Sequence, residues 1–358
     1  MVFSNRFGHL DIQRKSTKSR FPLLKLPKIV LLECIENLDV LEIILFSLLS
    51  KRAKSMAKRI RSNLFYIHFS SSDEGPQIWL KLPDAPGLKW IIDYDKEKES
   101  SVYPGPHTSF RGPQTVHFLY LKDNGIEDLK QMAEHICEVF RSPIYDVRIS
   151  EESLIEWIIN LQPTIPRAFI SKGVITSVET LDGTFKNLKG TGYFDLEAIA
   201  IDENFQYTEP IPFRCISVWD SFWLTLPSVL NGTNSVILSY GSKWTPTDIN
   251  TILKEWQMGS KLQNLEFMEI ETFALLNARK ASVEVLRDLD WTKSAENDGR
   301  PMEVKIDDEW TLTLPDAEPV CNLIRNDGMI GSIFESFELH ADRKLELCFC
   351  FQVWNKPN

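Results

Sequence analysis

The stretch LPKIVLLECIENLDVLEIILFSLLSKR, residues 26–52, governs how the rest of this chain is read. From Ile29 to Ser50 it is rich in Leu, Ile and Val and is flanked by Lys28 and Lys51, the outline of a membrane span. It also carries Glu33, Glu36, Asp39 and Glu42. An acid near mid-bilayer costs roughly 2.5–3.5 kcal/mol on the insertion scale, so four together are prohibitive. The stretch therefore reads as water-soluble helices. Pro27 suits a first helical turn and opens a helix from Lys28 to Glu36. Asn37-Leu38-Asp39 interrupts it, and Asp39 with Glu42 three residues on forms a capping box for a second helix through Leu41, Ile44, Leu45 and Leu48. Ser50 can cap a third, whose outer face carries Lys51, Arg52, Lys54, Lys58, Arg59 and Arg61.

Three helices within residues 21–62 make a unit of about forty residues, too small to bury its own apolar positions. Surplus apolar surface on so small a unit marks a partner interface. Charge is also uneven. Residues 1–63 hold 13 Lys and Arg against 5 Asp and Glu, a net of +8, while the whole chain is −10, which leaves −18 for the remainder. A basic head could meet nucleic acid or an acidic protein, and the acidic body speaks against broad nucleic-acid binding. The third helix has the composition of a DNA-recognition helix, but a solvated face is the commoner meaning of such a charge run. Residues 1–20 are polar and basic, have no apolar core of a secretory signal, and are expected to be a disordered leader.

Outward from the helices the periodicity changes. Residues 63–114 are expected to give strands at 63–69 and 77–82, then a long surface loop over 95–114, and so to link the head to a body of residues 115–358. Two stretches of the body share one layout. The first is a strand at 116–121, a helix at 126–140 and a strand at 144–149. The second is a strand at 235–240, a helix at 246–257 and a strand at 265–270. In the second, Thr245, Pro246 and Asp248 supply a capped start, Ile249, Ile252, Leu253 and Trp256 one apolar face, and Gly259 a stop. A further helix is expected at 151–161 and a strand at 167–175. Alternating strands and helices favour a parallel sheet, and the similar units suggest a degenerate, leucine-rich-repeat-like array. Strands at 303–306, 310–314, 332–339 and 344–354 read as an antiparallel close. The fold class is thus α+β and multidomain: a three-helix head and a mixed α/β body.

Signs of chemistry are few. The six cysteines are scattered without a C-x-x-C pair, which leaves no zinc or redox motif and fits a reducing compartment. Cys348 and Cys350, two apart in an apolar run, are expected to be buried thiols. Gly190-Thr191-Gly192 lacks the third glycine of a phosphate cradle and reads as a turn. His135 and Cys137 lie two apart on one helix and cannot face each other. Trp219, Trp223, Trp244 and Trp256 are expected to be mostly core, with one a candidate for a target surface. The chain reads as a non-enzyme needing no cofactor or metal, in the cytoplasm, the nucleus or both.

Residues 21–61 resemble an F-box. The correspondence runs through Leu26-Pro27, the apolar run Val30 to Ile35, the Leu38-Asp39 break, Leu41 to Ile44, and Ser47-Leu48-x-Ser50-Lys51-Arg52. Ala53-Lys54 stands where many F-boxes carry an aromatic residue, and Lys28-Ile29 replaces a commoner acidic pair. The body is similar to the type 2 F-box-associated domain of a large nematode-expanded family. That likeness lies in Leu226-Pro227-Ser228-Val229-Leu230-Asn231, Leu238-x-Tyr240-Gly241-Ser242, Trp244-Thr245-x-x-Asp248-Ile249-Asn250, Trp256-x-x-Gly259-Ser260, Arg325-Asn326-Asp327-Gly328 and Val353-Trp354. The resemblance implies a substrate-recognition adaptor of an SCF-type cullin ubiquitin ligase. Leu26, Pro27, Leu31, Ile44 and Leu48 would present an apolar surface to a Skp-type linker subunit, and through it a cullin. Ser50, Lys51 and Arg52 would add polar contacts, and the body would hold a target protein. The alternative is a stand-alone protein- or nucleic-acid-interaction protein with a degenerate F-box.

Overall fold

The computed structural model describes residues 25–60, 64–72, 75–95, 107–111, 114–272, 278–294, 299–315, 321–339 and 345–355. The basic leader expected at 1–20 and Arg61 lie outside them. Contacts divide the chain into two units, Met1–Arg148 and Ile149–Asn358.

The first unit opens with helices α1 (Lys28–Glu36), α2 (Val40–Leu48) and α3 (Lys51–Ala57). There follow β1 (Tyr66–Ser70), β2 (Gln77–Leu82), β3 (Ala85–Asp95), β4 (His107–Arg111), β5 (Gln114–Lys122), α4 (Ile126–Phe140) and β6 (Ile144–Ile149). The strands run in the order β6-β1-β2-β3-β5-β4. β1, β2 and β3 form an antiparallel meander, while β6 joins β1, and β5 joins β3, in parallel. These pairings hold residues 114–148 to the strands that precede them, so contacts separate the chain after Arg148, whereas the sequence reading begins the body at 115. The loop expected over 95–114 is only partly that: β3 runs to Asp95, β4 pairs antiparallel with β5 at 107–111, and 96–106 fall outside the described residues. Pairing to a sheet edge has overridden a Pro-, Gly- and Ser-rich local composition. α4 buries Leu129, Met132, Ala133, Ile136, Val139 and Phe140 at helical spacing, and ends on Arg141 in the left-handed region at φ 55°.

The second unit comprises α5 (Ser153–Leu161), β7 (Thr164–Ile170), α6 (Val178–Asn187), β8 (Lys189–Leu196), β9 (Cys215–Val218), α7 (Leu226–Leu230), β10 (Val236–Ser242), α8 (Pro246–Gln257) and β11 (Phe267–Thr272). It continues with α9 (Ala278–Val285), β12 (Trp291–Lys293), β13 (Glu303–Lys305), β14 (Thr311–Thr313), β15 (Cys321–Ile324), β16 (Ile330–Leu339) and β17 (Leu345–Trp354). β7, β8, β9, β10 and β11 are parallel neighbours in chain order. Parallel neighbours need crossover connections that pack back onto a face of the sheet. On that face Phe185 of α6 packs edge-on against Phe194 of β8, at 5.7 Å between ring centroids. The other face is covered by the β13–β14 hairpin, whose Val304 and Ile306, with Leu314 just beyond it, share a core with Tyr193, Cys215, Val236, Phe267 and Cys350. Beyond β11 the sheet turns antiparallel through β17, β16, β15 and β12; of the strands expected to close the domain, those at 332–339 and 344–354 lie here, those at 303–306 and 310–314 pair apart as the β13–β14 hairpin, and β12 and β15 were not expected.

Two local expectations are corrected. Gly190–Gly192 lies in β8 and is not a turn: a side chain at Gly192 would stand 2.7 Å from the Pro166 carbonyl oxygen, so the glycine lets two strands approach. The strand expected at 167–175 is β7, Thr164–Ile170, and the chain turns before Gly173, at φ 73°.

Candidate functional site

The three opening helices are positioned by a few polar contacts, each traceable to a residue type. Asp39 Oδ1 accepts from Leu41 N at 3.0 Å, and Glu42 Oε2 accepts from Asp39 N at 2.9 Å, so the capping box forms. The second oxygen of Asp39 accepts from Trp90 Nε1 on β3 at 2.8 Å, tying the start of α2 to the sheet. Ser50 Oγ accepts from Ala53 N at 3.1 Å and caps α3. Ser47 Oγ donates to the Ile44 carbonyl at 2.7 Å and lies 2.6 Å from His135 Nε2 on α4. With its own proton on that carbonyl, Ser47 accepts from the Nε2–H of a neutral imidazole. Burial, reinforced by the Lys54 charge, pushes His135 down to about 4, so it is neutral near pH 7.

The cationic third helix is partly spoken for within the chain. Lys54 and Lys58 both pair with Glu138 on α4, and their hydrogen bonds pull that carboxyl down to about 2. Lys51, Arg52 and Arg59 remain exposed. Cys137 is pushed up to about 12, chiefly by burial, which disfavours the thiolate a nucleophile needs.

The eight residues expected to meet a linker fall into two groups. Pro27, Ser50, Lys51 and Arg52 are exposed, and Leu26 and Leu48 are half-buried. Leu31 and Ile44 are wholly buried, so in this structure they hold the helices together and offer no surface. The large apolar side chains that do stand in solvent are others: Ile29 at 73% exposure, Val30 at 42% and Leu49 at 70%. Since Leu31 and Ile35 are the buried pair of α1, four apart, their neighbours Ile29 and Val30 are turned outward. That signal was present in the sequence but hidden by the density of apolar residues in the run.

In the second unit Trp223, Trp244 and Trp256 are core, and Cys348 and Cys350 are buried thiols. Trp219 is the exposed one of the four, stacked on Tyr240 at 4.4 Å. α8 starts as its residues require: Thr245 N donates to Asp248 Oδ2 at 2.8 Å, and Thr245 Oγ1 accepts from Asp248 N. No helix among the described residues is long and apolar enough to cross a membrane.

Residues 23–65, which span α1 to α3, match the family model for the F-box domain. Residues 204–270, from before β9 into β11, match the family model described as F-box associated. No curated protein and no solved structure matches the chain.

Proposed function

We propose, from the premise that this chain is an F-box protein with an F-box-associated segment, that it serves as the substrate-recognition adaptor of an SCF-type cullin ubiquitin ligase. The F-box docks a Skp-type linker subunit and through it a cullin, and the second unit binds a target protein. The observation that carries this reading is where the exposed apolar side chains lie. Of the eleven large ones exposed among the described residues, Ile29, Val30, Leu49 and Leu64 fall within the F-box match at 23–65. Such a concentration on a small segment is what an obligatory partner would cover.

Pro27, Ile29, Val30 and Leu49 supply the apolar contacts, and Ser50, Lys51 and Arg52 supply hydrogen bonds and positive charge to an acidic rim on the linker. With Lys54 and Lys58 turned onto Glu138, a nucleic-acid groove would meet a depleted cationic face. The chain makes and breaks no bonds itself. It holds a target near the ubiquitin-carrying module and raises effective concentration. It needs no cofactor and works in the cytoplasm, the nucleus or both.

The test is co-purification of the full chain with a Skp-type linker and a cullin. The expected result is one stoichiometric complex that elutes together and is lost in the Ile29→Glu, Leu49→Glu double variant. A chain that elutes without the linker, yet is retained on nucleic acid in a salt-sensitive way, would replace this reading with the stand-alone interaction protein.

A further inference from the structure

We propose that Ser282, on α9, is a phosphorylation site for a kinase that reads basic residues before its serine, and that the phosphate releases α9 from α8. The sequence around it is Arg279-Lys280-Ala281-Ser282-Val283, with cations three and two residues before the serine and an apolar residue after it. An acidic kinase cleft selects such a pattern by charge, and an apolar pocket beyond it takes the next residue. Among the described residues three serines have an arginine three positions before them, Ser55, Ser217 and Ser282. Ser217 lies within β9 and is buried. Ser55 is exposed, but Ala53 stands two before it, and Met56, directly after it, is buried. Ser282 alone of the three joins both cations to an exposed apolar follower, Val283 at 74% exposure.

α9 is lightly held. A helix of eight residues is marginal by itself, so packing and a few polar ties keep it in place. Ala281 and Val285, four apart, are buried. Asn250 Nδ2 of α8 donates to the Val285 carbonyl at 2.7 Å and to the Arg287 carbonyl at 2.9 Å. Thr247 Oγ1, also of α8, donates to Glu284 Oε1 at 2.7 Å. Ser282 faces the sheet: it is half-buried, and its Oγ lies 3.5 Å from Glu335 Oε1 on β16. A kinase takes its substrate in extended form, so the serine is reached when α9 opens locally.

In the transfer, Ser282 Oγ attacks the γ-phosphorus of magnesium-bound ATP held by the kinase. The Oγ–P bond forms, the bond from that phosphorus to the bridging oxygen breaks, ADP leaves, and the hydroxyl proton passes to a carboxylate of the kinase. The product carries a charge of about −2 where the serine was neutral. In the docked helix that charge would stand against Glu335 in a half-buried position, and like-charge repulsion with the cost of desolvation opposes redocking. Arg279 and Lys280 belong to the same segment and move with the phosphate, which leaves Glu335 to set the difference between docked and released states. Release uncovers the face of α8 around Asn250, which lies within the segment matched as F-box associated, 204–270. The phosphate thereby alters the surface of that segment.

The probe is the catalytic subunit of cAMP-dependent protein kinase with magnesium-ATP, acting on the full chain. The site is mapped by peptide mass spectrometry and α9 is followed by amide hydrogen exchange. The inference expects phosphate on Ser282, incorporated at least tenfold more slowly in Arg279→Gln and absent from this position in Ser282→Ala. It expects the α9 amides to exchange at least tenfold faster once the chain is phosphorylated, an acceleration that phosphorylated Glu335→Gln largely loses. No phosphate at Ser282, incorporation indifferent to Arg279→Gln, or exchange in α9 unchanged by the phosphate would each overturn it, as would release of equal size in Glu335→Gln. Neither readout involves the linker, so the outcome is independent of the adaptor reading.

Discussion

α2 and α8 begin in the same way and end up serving different purposes. Each is started by a capping box, Asp39 with Glu42 in one and Thr245 with Asp248 in the other. α8 then buries Ile249, Ile252, Leu253 and Trp256 completely, and its exposed apolar residue, Met258, comes only after the helix has ended. The α1–α3 segment buries Leu31, Ile35, Leu41 and Ile44 just as fully but keeps Ile29, Val30 and Leu49 in solvent. Caps decide where a helix starts. What remains outside after the core is filled decides whether it has a partner to find.

The sharpest way to break this comparison is to empty the two cores. Trp256→Ala should destabilise the second unit by about 3–5 kcal/mol, as a large buried aromatic does. Ile44→Ala should cost the first unit about 2–5 kcal/mol, read by urea unfolding. Ile29→Glu, on the same helical segment, should change stability by no more than about 0.5 kcal/mol, because nothing buried is lost. If Ile29→Glu unfolds the first unit as Ile44→Ala does, the distinction between core and docking residues fails.

Smaller effects separate the caps. Asp39→Ala should cost about 0.5–2 kcal/mol for the cap, and somewhat more in total because Trp90 Nε1 loses its acceptor. Thr245→Ala should cost only the cap, about 1 kcal/mol, on the same measurement. An equal loss from both would mean the Asp39–Trp90 bond contributes nothing.

The mildest test uses pH. The folded first unit resists protonating His135, at about 4 against an ordinary 6.5, whereas the unfolded chain takes that proton readily. Its contribution is therefore complete above pH 6.5 and lost as pH falls to 4. Glu138, at about 2 against 4.5, adds a second loss between those values. That loss is worth less than about 1 kcal/mol, because the half-exposed carboxylate is screened. His135→Asn should remove the upper limb of the Tm-against-pH curve and Glu138→Gln the lower. A curve unchanged by His135→Asn would mean that Ser47 and burial do not hold the imidazole neutral.

Much of this was legible where a local signal coincided with a cap. α1, α4, β6 and α8 begin and end where residue spacing placed them, because Pro27, Gly125 and the Thr245 box punctuate them. β4 was illegible because its strand character comes from pairing with β5, not from its own residues. α6 was missed although Ser177 caps it and Leu181, Thr184 and Phe185 fall at helical spacing; β8 and β9 were missed for a reason related to that of β4. They are held by neighbours distant in sequence, such as Cys215 between Tyr193 and Val236, and carry weak periodicity of their own. At the docking segment the motif was plain in Leu26-Pro27 and Ser50-Lys51-Arg52, but Leu31 and Ile44 could not be told from Ile29 and Leu49 until packing put one pair inside and left the other out.

Calorimetric titration of the full chain with a Skp-type linker subunit tests the central claim most directly, using the Ile29→Glu, Leu49→Glu variant as its partner experiment. The account predicts micromolar or tighter binding with a negative heat-capacity change, weakened at least a hundredfold in the variant while its Tm stays within a few degrees. Absence of binding by the unmodified chain, or binding that the two charges leave intact, would contradict it.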